Sequence, residues 1–364
     1  MNKYKVCVYA ICKNEEPFVD RWMDAVSEAY LFIVTDTGST DQTVSRLRER
    51  GAIVYEEKIT PWRFDVARNV AMSHIPHDVD ICVSNDLDEI FEKGWREKLE
   101  RAWKKEYTRA RYMFTWAFDS KGNPIKQFEM EKIHQRHHFK WIHPVHEVLV
   151  YQGHKQEKTV NISDLVLNHY PDQDKPRTQY LPLLELSAKE NPSDPQTIFW
   201  LGREYFYYQN YTKAIQTLKQ YLELKEAIWP EERAAAMRFI GKCYKELSET
   251  EDARKWFYQA IAQCPTIREP YLDFIELGYY ENDWPLILFL STEALKIKES
   301  SGSYLVELEA WHYAFYDYQA IACYQLGLYE RSYIQAKKAL SYEPSNPRLR
   351  HNVSIIRKKI EEVF

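Results

Sequence analysis

Several features are missing from this 364-residue sequence, and each absence excludes a class of protein. No run of about 18 apolar residues is present, so no membrane span is expected. No basic excess is present, since the net charge is −5 and the pI is near 6.2, which argues against a general nucleic-acid-binding protein. The six cysteines form no C-x-x-C pair, and we expect reduced, buried thiols. The apolar run near the N-terminus is too short for a signal peptide, and we therefore expect a cytoplasmic protein.

The first part of the chain, to about residue 170, alternates between strand and helix patterns. This order predicts a largely parallel sheet covered by helices, with functional loops beyond the carboxyl ends of the strands. Polar residues cluster at three of those ends, in 13–16, 36–41 and 85–89. The predicted strands are KVCVYAIC (5–12), LFIVTDT (31–37), AIVYEEK (52–58) and DVDICVSND (78–86), and the predicted helices span 16–29 and 43–50.

Two of these clusters carry residues suited to binding a charged ligand. In TDTGSTDQT (35–43), Gly38 permits a tight turn and Ser39 with Gln42 forms a capping box, while Asp36 either supports the turn or contacts a nucleotide or sugar. In NDLDE (85–89), the carboxylates of Asp86 and Asp88 are hard ligands that suit Mg²⁺ or Mn²⁺. The alternative for the second cluster is a solvated acidic loop.

The second part of the chain, from about residue 176, has a helical pattern throughout. The segments 200–218 and 239–257 align with an offset of 39, which matches Gly202 to Gly241 and Leu218 to Phe257. Small residues where paired helices cross, and a proline after the second helix, resemble tetratricopeptide repeats. An ordinary helical bundle is the alternative.

The N-terminal motifs, taken in order, resemble glycosyltransferase family 2 enzymes with the GT-A nucleotide-diphospho-sugar-transferase fold. They are AICKNEEPFV, DTGSTDQT, WRFDVARN and SNDLDE, over roughly residues 5–170. The family's acidic triplet often reads D-A-D. In this sequence Leu87 stands in place of the small residue, and both carboxylates, Asp86 and Asp88, are kept. The resemblance implies donor binding by Asn14, Glu15, Asp36, Arg68, Asn69 and Asp86, and metal binding by Asp86, Asp88 and His169.

A later segment, WIHPVHE (141–147), resembles a branch of these enzymes in which a V-H-E run precedes an H-Y pair, here His169 and Tyr170. By this resemblance Glu147 is a candidate base and His146 lies on the acceptor or diphosphate side. A hydrogen-bonded structural pair is the alternative for both.

The expected protein is thus α/β, with a GT-A domain at 1–175 followed by an all-α, tetratricopeptide-like domain at 176–364. The resemblance implies a metal-dependent inverting glycosyltransferase that uses Mg²⁺ or Mn²⁺ and a nucleotide-sugar donor such as a UDP-hexose. A peptide or protein acceptor, modified on Cys, Ser or Thr, is expected because the two-part plan resembles peptide S-glycosyltransferases of glycosylated-bacteriocin biosynthesis. Surface-polysaccharide or lipid-linked saccharide synthesis and a non-catalytic scaffold remain alternatives, and the helical domain is also a candidate homodimer surface.

Overall fold

The computed structural model describes residues 3–119, 121–172 and 180–363. The chain divides into two compact units, Met1–Ser187 and Ala188–Phe364. The predicted domain boundary between 175 and 176 falls in the segment 173–179, which lies outside the described residues.

The first unit contains ten strands, five α-helices and a short 3₁₀ helix, Glu16–Phe18, in its described residues. The strands are β1 (Val6–Cys12), β2 (Leu31–Asp36), β3 (Ile53–Glu56), β4 (Ile81–Ser84), β5 (Glu89–Phe91), β6 (Arg109–Phe118), β7 (Pro124–Gln135), β8 (Phe139–Ile142), β9 (Val148–Tyr151) and β10 (Thr159–His169). The helices are α1 (Val19–Val26), α2 (Thr43–Glu49), α3 (Phe64–Ser73), α4 (Trp95–Ala102) and α5 (Tyr180–Glu190), which continues into the second unit.

Eight of the strands form one sheet in the order β3-β2-β1-β4-β7-β6-β10-β5, and β8 and β9 form a separate pair. The first four strands are parallel, as the alternating pattern predicts. The rest of the sheet is mixed, because β7 runs antiparallel to both β4 and β6. Strands β6 and β7 are joined by a short connection. There one oxygen of the Asp119 carboxylate accepts hydrogen bonds from the backbone N–H groups of Lys121 and Asn123.

One edge of this sheet collects the carboxyl ends of six strands. Strand β6 runs in the direction of β4, because both are antiparallel to β7, and β10 is parallel to β6. The ends of β1, β2, β3, β4, β6 and β10 therefore lie at the same edge, which is where polar loops of such sheets bind ligands.

Strand β1 is buried on both faces, which explains its continuous apolar sequence. Val6, Val8 and Ala10 belong to a cluster with α1 and α4, whereas Cys7 and Tyr9 pack on the other face with α3 and β8. All six cysteines are free and buried, as expected from their spacing.

The second unit is a series of helical hairpins. Its helices are α6 (Pro195–Tyr207), α7 (Tyr211–Glu223), α8 (Pro230–Glu246), α9 (Thr250–Gln263), α10 (Glu269–Tyr280), α11 (Trp284–Ala294), α12 (Ala314–Gln325), α13 (Tyr329–Tyr342) and α14 (Pro347–Val363). Helices α6 to α13 pair in sequence as four hairpins, and α14 packs on α13. No helix in the described residues is long and apolar enough to cross a membrane.

Two glycines allow the paired helices to approach closely. A Cβ at Gly202 would lie 2.5 Å from Cγ of Leu218, and a Cβ at Gly241 would lie 2.6 Å from Cε1 of Phe257. Leu218 and Phe257 are fully buried. The repeat offset read from the sequence thus predicts the residues at both crossings, and the unit has the tetratricopeptide-like architecture expected of it.

Candidate active site

The loops after β1 and β2 are joined around Asp36, the last residue of β2. One of its carboxylate oxygens accepts the backbone N–H groups of Gly38 and Ser39, each at 3.0 Å. Gly38 has φ of +112°, which glycine adopts readily. Ser39 donates its hydroxyl to Asp36 and does not cap α2, which begins at Thr43, so the predicted capping box is wrong. The acidic side chain, rather than the helix end, organises this turn.

Asn14 and Glu15, also predicted to bind the donor, connect the two loops. The Asn14 side-chain oxygen accepts the N–H of Thr40 at 2.8 Å, and the backbone N–H of Glu15 donates to the Thr43 hydroxyl at 2.8 Å. Asn14 has φ of +55°, a region in which asparagine is enriched. The side chain of Asn14 therefore holds the turn that carries Asp36, and the donor-binding roles of Asn14, Glu15 and Asp36 stay predictions.

The centre of the candidate site is Arg68, on α3. Its two terminal nitrogens each donate to one oxygen of Asp86 at 2.8 Å, and its Nε donates to Glu147. The guanidinium is buried and lies 5.1 Å from the ring centre of Trp141. Three residues that are distant in sequence are thus brought together, after β4, on α3 and before β9.

The charges in this cluster stabilise each other. Burial alone would lower the pKa of Arg68, but the carboxylates of Asp86 and Glu147 raise it well above its ordinary value. Burial alone would raise the pKa of Asp86, but the cations of Arg68 and Lys132 lower it. Both groups are therefore charged at neutral pH.

Asp88 and His169 form a second group at the same edge. A carboxylate oxygen of Asp88 lies 3.3 Å from Nε2 of His169, and the main-chain oxygen of Asp88 accepts the N–H of Tyr170 at 2.8 Å. Nδ1 of His169 is buried and has no hydrogen-bond partner among the described residues. The structure thus brings Asp88 and His169 together, with one imidazole nitrogen unsatisfied.

Asn69 and His146 have other neighbours. The Asn69 amide donates to the carbonyl of Trp141 at 2.8 Å and accepts its N–H at 3.0 Å, which holds β8 on α3. His146 has φ of +52°, and its ring centre lies 5.7 Å from that of Tyr180. Asn69 therefore has a structural role in this geometry, and the predicted functions of both residues stay predictions.

Two contributors to the site, Lys132 and Glu89, were not among the predicted site residues, although Glu89 belongs to the acidic cluster 85–89. Nζ of Lys132, on β7, lies 2.9 Å from a carboxylate oxygen of Glu89 and 3.6 Å from Asp86. The other oxygen of Glu89 accepts the backbone N–H of Asp86 at 3.0 Å, so Glu89 braces the turn that carries the acidic pair. Burial raises the pKa of Glu89. Burial alone would lower the pKa of Lys132, but the carboxylates of Glu89 and Asp86 raise it above its ordinary value. Lysine in a strand of mixed polarity gives no signal that it lies beside residues more than 40 positions away.

An aromatic group borders Asp88. Trp116, on β6, is 42% exposed, and its ring centre lies 4.8 Å from that of His169. Phe118 stacks on Tyr170 with parallel rings 5.2 Å apart. Both pairs lie at the ends of β6 and β10, beyond β4 in the sheet, and they offer flat apolar surfaces next to the carboxylates.

Comparison with known families identifies the first unit. Residues 7–156 match the family described as Glycosyl transferase family 2. The first unit contains a family 2 glycosyltransferase domain. No curated protein sequence matches the chain significantly.

Among solved structures, the chain is similar to several tetratricopeptide-repeat (TPR) and related proteins. The structure titled "Crystal structure of MamA" is 20% identical, with 48% of this chain and 96% of that chain covered and a TM-score of 0.38. The structure of YrrB, titled "a TPR protein with an unusual peptide-binding site", is 13% identical, with 49% and 84% covered and a TM-score of 0.39. The structure titled "Crystal Structure of the Yeast Tom70" is 16% identical, with 52% and 38% covered and a TM-score of 0.39.

The residues of the glycosyltransferase domain fit a divalent cation only in part. No group of three or more His, Cys, Asp or Glu side chains is arranged for a metal in the portions of the chain that the structure describes. Asp86 has both oxygens engaged by Arg68, whereas Asp88 and His169 offer an oxygen and a nitrogen side by side. A cation that also takes ligands from a diphosphate and water needs only one or two protein groups, and the Asp88–His169 pair supplies them.

Proposed function

We propose that the protein is a metal-dependent, inverting glycosyltransferase that moves a hexose from a nucleotide-diphosphate sugar, such as a UDP-hexose, to a side chain of a peptide or protein. The observation that carries this proposal is the contact of Arg68 with both Asp86 and Glu147. It joins a candidate base to the acidic turn of a family 2 glycosyltransferase domain. The finer parts of the proposal, namely the sugar, the cation and the acceptor, are inferences from the residues.

In the proposed reaction the acceptor atom attacks the anomeric carbon of the donor sugar directly. The bond from that carbon to the diphosphate oxygen breaks, and its electron pair leaves with the nucleoside diphosphate. Glu147 takes the proton of the acceptor atom. Arg68 orients Glu147, because its Nε donates a hydrogen bond to one carboxylate oxygen.

A thiol acceptor suits a carboxylate as the base. A carboxylate is a weak base, and a thiol places the smallest demand on it. A cysteine thiol, with a pKa near 8.5, gives up its proton far more readily than a serine or threonine hydroxyl. We therefore infer that the acceptor side chain is a cysteine, which agrees with the resemblance to peptide S-glycosyltransferases.

Asp88 and His169 would hold the divalent cation, Mg²⁺ or Mn²⁺. Bound there, the cation supplies charge neutralisation for the departing diphosphate. Asp86 has a different task in this proposal: it fixes Arg68, and through it Glu147. This revises the expectation that both carboxylates of the triplet are metal ligands.

A saccharide acceptor is the second candidate, and Trp116 favours it. An exposed indole beside Asp88 and His169 is a surface on which a pyranose ring can stack. The same surface also suits an apolar residue that flanks the acceptor cysteine. The two acceptors are distinguished by experiment rather than by the shape of this surface.

The test is a screen of the purified protein against a panel of UDP-, GDP- and TDP-hexoses, with and without Mn²⁺, using cysteine-, serine- and oligosaccharide-containing acceptors. We expect hexose transfer to a cysteine-containing peptide from one nucleotide class, with loss of turnover in excess chelator. Transfer to oligosaccharides alone would select the second candidate. No donor consumption with any nucleotide sugar would contradict glycosyl transfer itself.

A further inference from the structure

A segment of the second unit lies across three helices of the repeats. The chain between α11 and the short helix Leu308–Trp311 includes residues 300–307, SSGSYLVE, which we call the strap. The strap has no helix or strand structure and contacts α6, the start of α8, and α10. These are the first helices of three consecutive hairpins. Stacked repeats form extended concave surfaces that repeat proteins use for binding.

Aromatic and charged side chains anchor the strap to the helices. The Tyr304 ring stacks on Trp200, with ring centres 5.6 Å apart and 17° between the planes, and also meets Trp229 at 5.6 Å. Its hydroxyl donates to Glu232 at 2.7 Å. Three residues later, Glu307 forms an ion pair with Arg238, in which a carboxylate oxygen lies 2.9 Å from a terminal guanidinium nitrogen. Aromatic and charged anchors of this kind dominate the free energy of peptide and protein interfaces.

Further hydrogen bonds fix the direction of the strap. The hydroxyls of Ser301 and Ser303 both donate to one oxygen of Glu231, at 2.9 and 2.7 Å. The backbone N–H of Glu307 donates to Glu269 on α10 at 3.2 Å. The strap is therefore held at both ends and at its centre by side chains of the helices.

The strap is docked on the repeats rather than built into their core. Residues 303–307 are all partly buried, whereas Ala310, soon after the strap, is fully buried. The core cluster of the last hairpins includes Ala310 and Phe315 but not the Tyr304 ring. Releasing the strap would therefore leave that cluster in place.

One guanidinium beside the strap has donors that the strap does not engage. Arg203, on α6, lies 4.5 Å from the ring centre of Trp200, the ring on which Tyr304 stacks. Its Nε and one terminal nitrogen are buried and have no hydrogen-bond acceptor among the described residues. A guanidinium with two unused donors in a fork geometry is suited to a carboxylate. A peptide that supplies such a group would make contacts that the strap lacks.

We propose that this face of α6, α8 and α10 is a peptide-binding site and that the strap is its resident ligand. The site takes an extended peptide with an aromatic residue, an acidic residue three positions later, and a second acidic group for Arg203. Such a peptide binds by displacing the strap. That this peptide is the acceptor of hexose rests on the proposed function, whereas the binding site does not.

The test uses the full chain and a fluorescein-labelled peptide of the strap sequence, ESSGSYLVEL, in anisotropy titrations. Wild type is compared with the double variant Tyr304→Ala/Glu307→Ala, in which the strap has lost both anchors. We expect the double variant to bind the peptide at least ~10-fold more tightly, because the competing segment no longer fills the site. Adding Trp229→Ala to that variant should abolish the gain, and a peptide with alanine in place of its tyrosine should not bind.

Hydrogen exchange of the wild-type protein gives a second measurement that does not depend on the stability of the variant. An excess of peptide should increase exchange in residues 300–307 and leave α12 and α13 unchanged. Equal peptide affinity in wild type and folded double variant, or unchanged strap exchange at saturating peptide, would overturn the proposal. Both measurements report peptide binding alone. A failure of hexose transfer would contradict the proposed function and leave the binding result unchanged. Hexose transfer without binding of the strap peptide would contradict the binding site and leave the proposed function unchanged.

Discussion

Arg68 binds Asp86 through two parallel hydrogen bonds of 2.8 Å, in a buried position where its third donor reaches Glu147. This relationship couples the acidic turn after β4 to the segment before β9. As long as these hydrogen bonds are kept, a shift of either carboxylate moves the guanidinium as well. The proposed base, Glu147, is consequently held by the same residue that holds the acidic turn.

Replacement of Arg68 by lysine should therefore impair turnover even though the charge is kept. An ammonium cannot make the bidentate contact with Asp86 and also reach Glu147, and small displacements of reacting groups cost about 100-fold in rate. We expect kcat to fall by roughly that factor. The matched control is Arg48→Lys, at an exposed pair with Glu56, which should change turnover less than twofold. Wild-type turnover in folded Arg68→Lys would rule out the coupling.

Replacement of Glu147 by glutamine tests the base. The amide oxygen still accepts from Arg68, so the geometry is kept while the proton acceptor is lost. We expect kcat to fall at least ~100-fold with unchanged donor affinity, measured by calorimetry. With a cysteine acceptor, activity should recover as pH rises through the thiol pKa near 8.5, because the thiolate then needs no base. If donor affinity collapses instead, Glu147 belongs to the donor pocket.

Replacement of Asp88 by asparagine tests the cation. The change keeps size and removes the negative charge beside His169, so we expect turnover to fall at least ~100-fold with little change in folding. Asp164→Asn, at an exposed pair with Arg101, is the surface control. Full activity of the variant, or of wild type in excess chelator, would remove the metal from the proposal.

The sequence predicts features that depend on residues close together in the chain better than it predicts contacts between residues far apart in the chain. The repeat offset of 39 identifies Gly202 and Gly241 at helix crossings, because a local packing rule recurs along the chain. The strand ends bearing Asp36 and Asp86 follow from period and turn chemistry. Lys132 does not follow, since its position beside Glu89 depends on the antiparallel pairing of β7 with β4.

His134 is a second residue whose contacts the sequence does not predict. In the sequence it is one of several polar residues in a strand, and nothing distinguishes it from the others. In the structure it is fully buried on β7. Its Nδ1 lies 2.7 Å from the carbonyl of Gln135, which can only accept, so Nδ1 carries the proton. Nε2 lies 3.0 Å from the Tyr9 hydroxyl, which itself accepts from Nε1 of Trp141 at 3.0 Å. A neutral imidazole thus completes a chain of hydrogen bonds that ends at the ring beside Arg68.

This chain makes the free energy of unfolding depend on pH. Burial lowers the pKa of His134 from 6.5 to about 3, so between these values the unfolded chain binds a proton that the folded chain does not. The contribution of His134 to stability is therefore complete above pH 6.5 and is lost progressively as pH falls toward 3. Protonation of His134 in the unfolded chain should lower the free energy of unfolding of the wild type by about 1.4 kcal/mol between roughly pH 7.5 and 5.5. His134→Gln should remove this part of the pH dependence. Urea denaturation at both pH values measures it, with His154→Gln, at an exposed position, as the control. An unchanged slope in His134→Gln would show that His134 is protonated in the folded protein, and the tautomer derived from its contacts would be wrong.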